Sequence, residues 1–122
     1  MRNVPAQVPT IKLHANSKIT DDQLTQVLLG VEEESVPIEV VREDELNPLE
    51  LAHNAAIASS LGIGIGISLD YVVVTTEKLP TERPYMATWL GDSWINDRHV
   101  GENAARLVKR TPLLRLALER SA

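Results

Sequence analysis

Three groups of residues in this 122-residue chain have types that could do chemistry: a glycine run, three histidines and a glutamate triplet. Gly62, Gly64 and Gly66 alternate with Ile63, Ile65 and Ile67. A phosphate loop needs its glycines in the turn between a strand and a helix, where the helix amides face the anion. Here they recur at period two inside an apolar run. That is the spacing of a strand with its glycines on one face, where a helix can approach closely. His14, His53 and His99 are far apart, with no second ligand at helical spacing and no H-x-E or H-E-x-x-H pattern. They read as ordinary surface or partly buried histidines. No G-x-S-x-G elbow supports a serine nucleophile. The absence of cysteine removes thiolate metal sites, disulfides and cysteine nucleophiles. Asp92, Asp97 and Glu102 are acid–base residues only in principle, because solvated carboxylates are the default on a chain of net charge −5.

Glu32-Glu33-Glu34 is more informative. The triplet ends a helix, where the dipole is negative and each exposed carboxylate costs about 0.3–1 kcal/mol. A cation or a basic partner would offset that cost, while a solvated acidic helix end is the simpler reading of composition. Geometry sharpens the choice. With roughly 100° per residue, Leu24, Val27, Leu28 and Val31 centre the apolar face and Glu33 points away from it. Gln26, Leu29 and Gly30 share or border this outer side. Gly30 lowers helix propensity by about 1 kcal/mol but lets another backbone come near. A leucine, a glycine and a carboxylate on the solvent side are the makings of an interface.

The elements that position these groups follow from pattern. Residues 11–15 alternate as a strand. Thr20 and Gln23 form a capping box before a helix that ends near Ser35. Residues 38–41 read as a second strand. Asn47, Pro48 and Glu50 open an Ala-rich helix over 48–60. The Gly/Ile run over 61–69 is a buried central strand. It is followed almost at once by the β-branched strand 71–76, so the two must form an antiparallel hairpin. A strand over 85–90 and a helix within 97–110 complete the set, before Pro112 and a short tail. The order βαβαβ–β–βα predicts three layers, α/β/α, with helices on both faces of a five-stranded sheet and one strand running against the rest. The expected division is an arm over 1–10, one domain over 11–112 and a tail over 113–122.

Composition narrows the function. At 43% hydrophobic and 24% charged the chain is globular, and without Phe its core must be built from Val, Ile, Leu and Ala. The acidic balance argues against a nucleic-acid surface and an anionic membrane. No apolar run reaches the ~20 residues of a membrane span, and residues 1–10 lack the apolar core of a signal peptide. A cytoplasmic protein is expected.

The segments V-L-L-G-V-E-E-E-S-V-P-I (27–38), K-L-P (78–80) and G-E-N-A-A-R-L-V-K (101–109) resemble the small subunit of the diol and glycerol dehydratase-reactivating factors. A related domain occurs in the medium subunit of adenosylcobalamin-dependent dehydratases, which is usually longer. The resemblance spans most of residues 11–112. It implies an α/β/α fold with sheet order 2-1-3-4-5 and the fourth strand antiparallel. It also implies a large, Hsp70-like ATPase partner that holds ATP or ADP, and exchange with the dehydratase's own similar subunit during release of damaged cobalamin. Glu33 matches the glutamate that reaches a magnesium or calcium ion (Mg or Ca) held by the large subunit, which needs only one carboxylate from this chain. On this reading Gln26, Leu29, Gly30 and Glu33 form the interface, and the chain itself is not an enzyme. Cytoplasmic residence extends, in that family, to association with a bacterial microcompartment. A Val/Ile-rich sheet with a vacant partner surface can also dimerise when isolated. Two alternatives remain: a component of the dehydratase itself, and a stand-alone α/β enzyme or ligand-binder with a polar pocket near Asn16, Asp92 and Asp97.

Overall fold

In a computed structural model that describes residues 8–116, the chain runs β1 (Ile11–Asn16), α1 (Asp21–Glu33), β2 (Ile38–Glu43), α2 (Pro48–Ala58), β3 (Ile63–Ser68), β4 (Tyr71–Thr76), β5 (Met86–Trp89) and α3 (Trp94–Lys109). The sheet order is β2-β1-β3-β4-β5. β1 lies parallel to β2 and β3, while β4 is antiparallel to both β3 and β5. The expected mixed sheet with its fourth strand reversed is therefore present. A turn at Leu69–Asp70 joins β3 to β4, with Leu69 in the left-handed region at φ 58°. Residues 1–7 and 117–122, which carry most of the expected arm and tail, lie outside the described residues.

Every residue of β3 is buried. Its two faces serve different layers. Ile63, Ile65 and Ile67 join Ile11, Leu13, Val72 and Val74 in a core capped by Leu24, Val27 and Val31 of α1 and Val100, Ala104 and Ala105 of α3. Each fully buried Val, Leu or Ile contributes about 1.5–3 kcal/mol. On the opposite face, a Cβ at Gly64 or Gly66 would run into the backbone of α2 at Ala52, Ala55 and Ala56 or at Pro48 and Ala52. The two glycines, matched by the alanines of α2, set how close that helix lies. Gly62 does not share this role: it takes φ +73° before the strand and faces Glu77.

The helix starts follow the sequence with two exceptions. Thr20 accepts from the Gln23 N–H, and Gln23 returns a bond to the Thr20 N–H at 2.9 Å. Asn47 caps α2 through the Leu49 N–H, but Glu45 rather than Glu50 accepts from the Asn47 N–H, at 3.0 Å. α3 begins at Trp94, ahead of the expected 97–110, with Ser93 as its cap. Trp94 and Ile95 are exposed and break the apolar periodicity there, so the start is not visible as a pattern.

Candidate functional site

α1 has two neighbours, the sheet beneath it and α3 beside it. A Cβ on Gly30 would meet the Arg98 carbonyl oxygen and the Glu102 amide, and a Cβ on Gly101 would meet the backbone of Val27 and Val31. The helices thus cross glycine to backbone in both directions. This corrects the placement of Gly30. It is buried, and the backbone it admits belongs to its own chain, so it is not on an outer surface. The buried arc of α1 is displaced toward Gly30 because α3 covers that side.

Glu33 stays on the accessible side, with 48% of its side chain exposed, at the seam between the two helices. Arg98 reaches across this seam from α3. Its Nε donates to Gln26 Oε1 at 2.9 Å, its Nη1 donates to Glu33 Oε1, and its guanidinium lies 5.8 Å from the Trp94 ring centroid. Glu34 is held by Lys109 Nζ at 2.7 Å and Arg106 Nη2 at 3.1 Å, and Lys109 also donates to the Glu34 carbonyl at 3.0 Å. The bond from Lys109, followed by that from Arg106, holds the Glu34 carboxyl below its ordinary range against the opposing effect of burial. Burial, and then the neighbouring Glu33, push Glu102 up. The electrostatic cost of two glutamates in the triplet is therefore met inside the chain, by cations on α3, and does not by itself call for an external ion.

Leu29 lies on the same helical stripe as Gln26 and Glu33, at spacings of three and four, and is 37% exposed. Trp94 is 60% and Ile95 48% exposed on the adjoining start of α3. Trp94 is tied to the paired carboxylate through Arg98, which lies over its ring and donates to Glu33, whereas Ile95 faces a cleft with His99 and Leu116. Sequence reasoning placed Gln26, Leu29 and Glu33 on the outer side of α1, and did not single out Trp94, Ile95 or Arg98. The available signal was two large apolar residues opening a helix whose buried stripe starts later.

The other candidates are occupied structurally. Asn16 gives its amide hydrogens to the carbonyls of Asp44 and Glu45 and accepts from the Lys18 N–H, pinning the loops after β1 and β2. Both carboxylate oxygens of Asp97 accept from the Gly91 N–H, at 3.2 and 3.1 Å. These contacts fix loops. His14 is buried with Nδ1 3.3 Å from Glu43 Oε2. Among the described residues no group of three or more His, Cys, Asp or Glu side chains is placed to hold a metal ion, and no helix is long and apolar enough to cross a membrane. Glu33 fits a metal only as one contributed carboxylate: half-exposed, at a helix end, with its position set by Arg98.

A five-stranded α/β/α domain of this topology agrees with the family to which the sequence aligns. Residues 8–114 match the dehydratase medium subunit family. The chain belongs to that family, within the group of dehydratase-reactivating factor small subunits. It is 38% identical over 105 residues to the propanediol dehydratase-reactivating factor small subunit of Citrobacter freundii, covering 85% of this chain and 89% of that one. It is 34% identical over 87 residues to the diol dehydratase-reactivating factor small subunit of Klebsiella michiganensis, covering 71% and 70%. Among solved structures it is similar to a chain of a diol dehydratase-reactivating factor complexed with ADP and Mg2+, with TM-score 0.84 and 30% identity over 89% of this chain and 100% of that one. A glycerol dehydratase reactivase chain gives TM-score 0.82 at 28% identity, over 88% and 97%.

Proposed function

We propose that this chain is the non-catalytic small subunit of a cytoplasmic reactivating factor for an adenosylcobalamin-dependent diol or glycerol dehydratase. It acts by docking on a large, Hsp70-like ATPase subunit and by exchanging with the dehydratase's similar subunit. The observation that carries the reading is the exposed seam of α1 and α3, where half-exposed Glu33 shares a helical stripe with exposed Leu29 and is linked through Arg98 to exposed Trp94. ATP binding and hydrolysis belong to the large subunit. A magnesium or calcium ion held there would take Glu33 as one carboxylate ligand and would supply electrostatic cross-linking of the two subunits, with no bond made or broken by this chain. A hard cation commonly accepts such a monodentate carboxylate. The solved relative complexed with ADP and Mg2+ supports both the nucleotide and the ion at the level of the complex.

The test is a titration of the large subunit with wild-type chain and Glu33→Ala, in magnesium and in EDTA. The variant is expected to keep its fold, to bind at least tenfold more weakly in magnesium, and to lose the difference between the two buffers. Equal affinity of variant and wild type in magnesium would overturn the role of Glu33.

A further inference from the structure

We propose that Arg98 is a positioning residue of the docking face, setting the orientation in which Glu33 is offered to the partner's cation. This rests on the reading of Glu33 as a contributed ligand. A glutamate at a helix end with half its side chain in solvent has several rotamers of similar energy. Arg98 selects one. Its guanidinium is planar and forked, and two of its nitrogens are committed to different residues of α1: Nε to Gln26 and Nη1 to Glu33. The guanidinium carbon lies over the Trp94 ring, 5.8 Å from its centroid. The bond to Gln26 thus anchors the guanidinium, and the anchored guanidinium orients the carboxylate. Only 22% of the Arg98 side chain is exposed, so it is part of the packed seam rather than a loose surface cation. Its backbone is fixed as well, because the Arg98 carbonyl lies against Gly30. Carboxylates that ligate metals are generally held by such outer hydrogen bonds, and losing one typically costs about 10–100-fold in metal affinity. Lysine substitutes only in part, because a single ammonium on a flexible stem does not hold Gln26 and Glu33 in one fixed arrangement.

The experiment compares wild type, Glu33→Ala, Arg98→Ala, Arg98→Lys and Gln26→Leu by titration against the large subunit in magnesium and in EDTA, with far-UV circular dichroism as the fold check. Arg98→Ala is expected to weaken binding about tenfold in magnesium and little in EDTA. Arg98→Lys is expected to recover only part of the loss. Gln26→Leu leaves Arg98 in place but removes its anchor, so it is expected to weaken magnesium-dependent binding by a smaller factor; it decides the matter if Arg98→Ala does not fold. Binding by Arg98→Ala that equals or exceeds wild type in magnesium, while Glu33→Ala loses magnesium dependence, overturns the role of Arg98 and leaves that of Glu33 standing. A loss of the same size in EDTA also overturns it, since that is the mark of a purely structural contact. Retention of full magnesium dependence by Glu33→Ala overturns both readings together.

Discussion

Gly30 of α1 and Gly101 of α3 each lie against the other helix's backbone, so that a methyl group at either position would meet main-chain atoms rather than a movable side chain. In an isolated helix, alanine in place of glycine gains about 1 kcal/mol. Here the sign reverses. Overpacking a tight contact typically costs about 1–3 kcal/mol, and a backbone cannot rotate aside. Contacts this close fall at the upper end of that cost, so Gly30→Ala and Gly101→Ala are each expected to lower stability by about 2 kcal/mol net, and Tm by roughly 8 °C. The double variant is expected to lose less than the sum, because parting the helices once relieves both clashes. Thermal unfolding followed by circular dichroism measures this. An unchanged or higher Tm for either single variant contradicts the close crossing.

This crossing also shows what was legible in the sequence and what was not. The hairpin β3–β4 could be read because Ile63, Ile65 and Ile67 announce a strand and Tyr71–Thr76 follows too closely for a crossover. The glycines between those isoleucines could be read as a helix seat for the same reason. Gly30 was misplaced because a helical wheel counts side chains, and a residue with none leaves no mark on the side it packs. Leu29 and Glu33 fell on the outer stripe of α1 and remain exposed. Arg98 was invisible as their neighbour, since it lies 65 residues from Glu33 and only the packing of α3 on α1 brings the two together.

Asp97 gives a pH-dependent prediction. It is buried under the turn at Gly91, and burial raises its carboxyl above the ordinary value of 3.8. A raised folded value means that the folded state holds the proton more tightly than the unfolded chain. Stability from this group is therefore full below the ordinary value and falls as pH rises through the raised one. Asp97→Asn removes the charge and keeps an acceptor for the Gly91 N–H. It is expected to match or exceed wild-type stability at pH 7, by up to about 1 kcal/mol, whereas Asp97→Ala loses the bond and costs about 0.5–1.5 kcal/mol. Urea midpoints at pH values from 4 to 7, spanning roughly the range in which linkage operates, check this. A wild type that gains on Asp97→Asn as pH rises would contradict it.

Glu34 behaves oppositely. Lys109 and Arg106 hold its carboxyl below the ordinary value of 4.5. A lowered folded value contributes stability above the ordinary value and loses it as pH falls through the folded one. Glu34→Gln is expected to cost about 1 kcal/mol at pH 7, the upper range for a surface ion pair and in keeping with two cations on one carboxylate. The difference from wild type should close as pH drops below 4.5 and should narrow in high salt. A difference that is constant with pH would show that Glu34 acts by packing alone.

Trp94 separates stability from docking. A large aromatic that is 60% exposed contributes little to the core, and its contact with Arg98 is worth about 0.5–1 kcal/mol at such a site. Trp94→Ala should therefore lower the stability of the isolated chain by no more than about 1 kcal/mol. Exposed tryptophan next to arginine is, however, the composition of interface hot spots, where truncation costs about 2 kcal/mol or more. That is roughly a 30-fold loss of affinity for the large subunit. Ile57 on α2 supplies the control. It is 59% exposed on the opposite face of the sheet, so Ile57→Ala should bind as wild type does. Titration of the large subunit with both variants decides between the two faces. Weakened binding by Ile57→Ala with normal binding by Trp94→Ala would move the docking surface from the α1–α3 seam to the α2 layer.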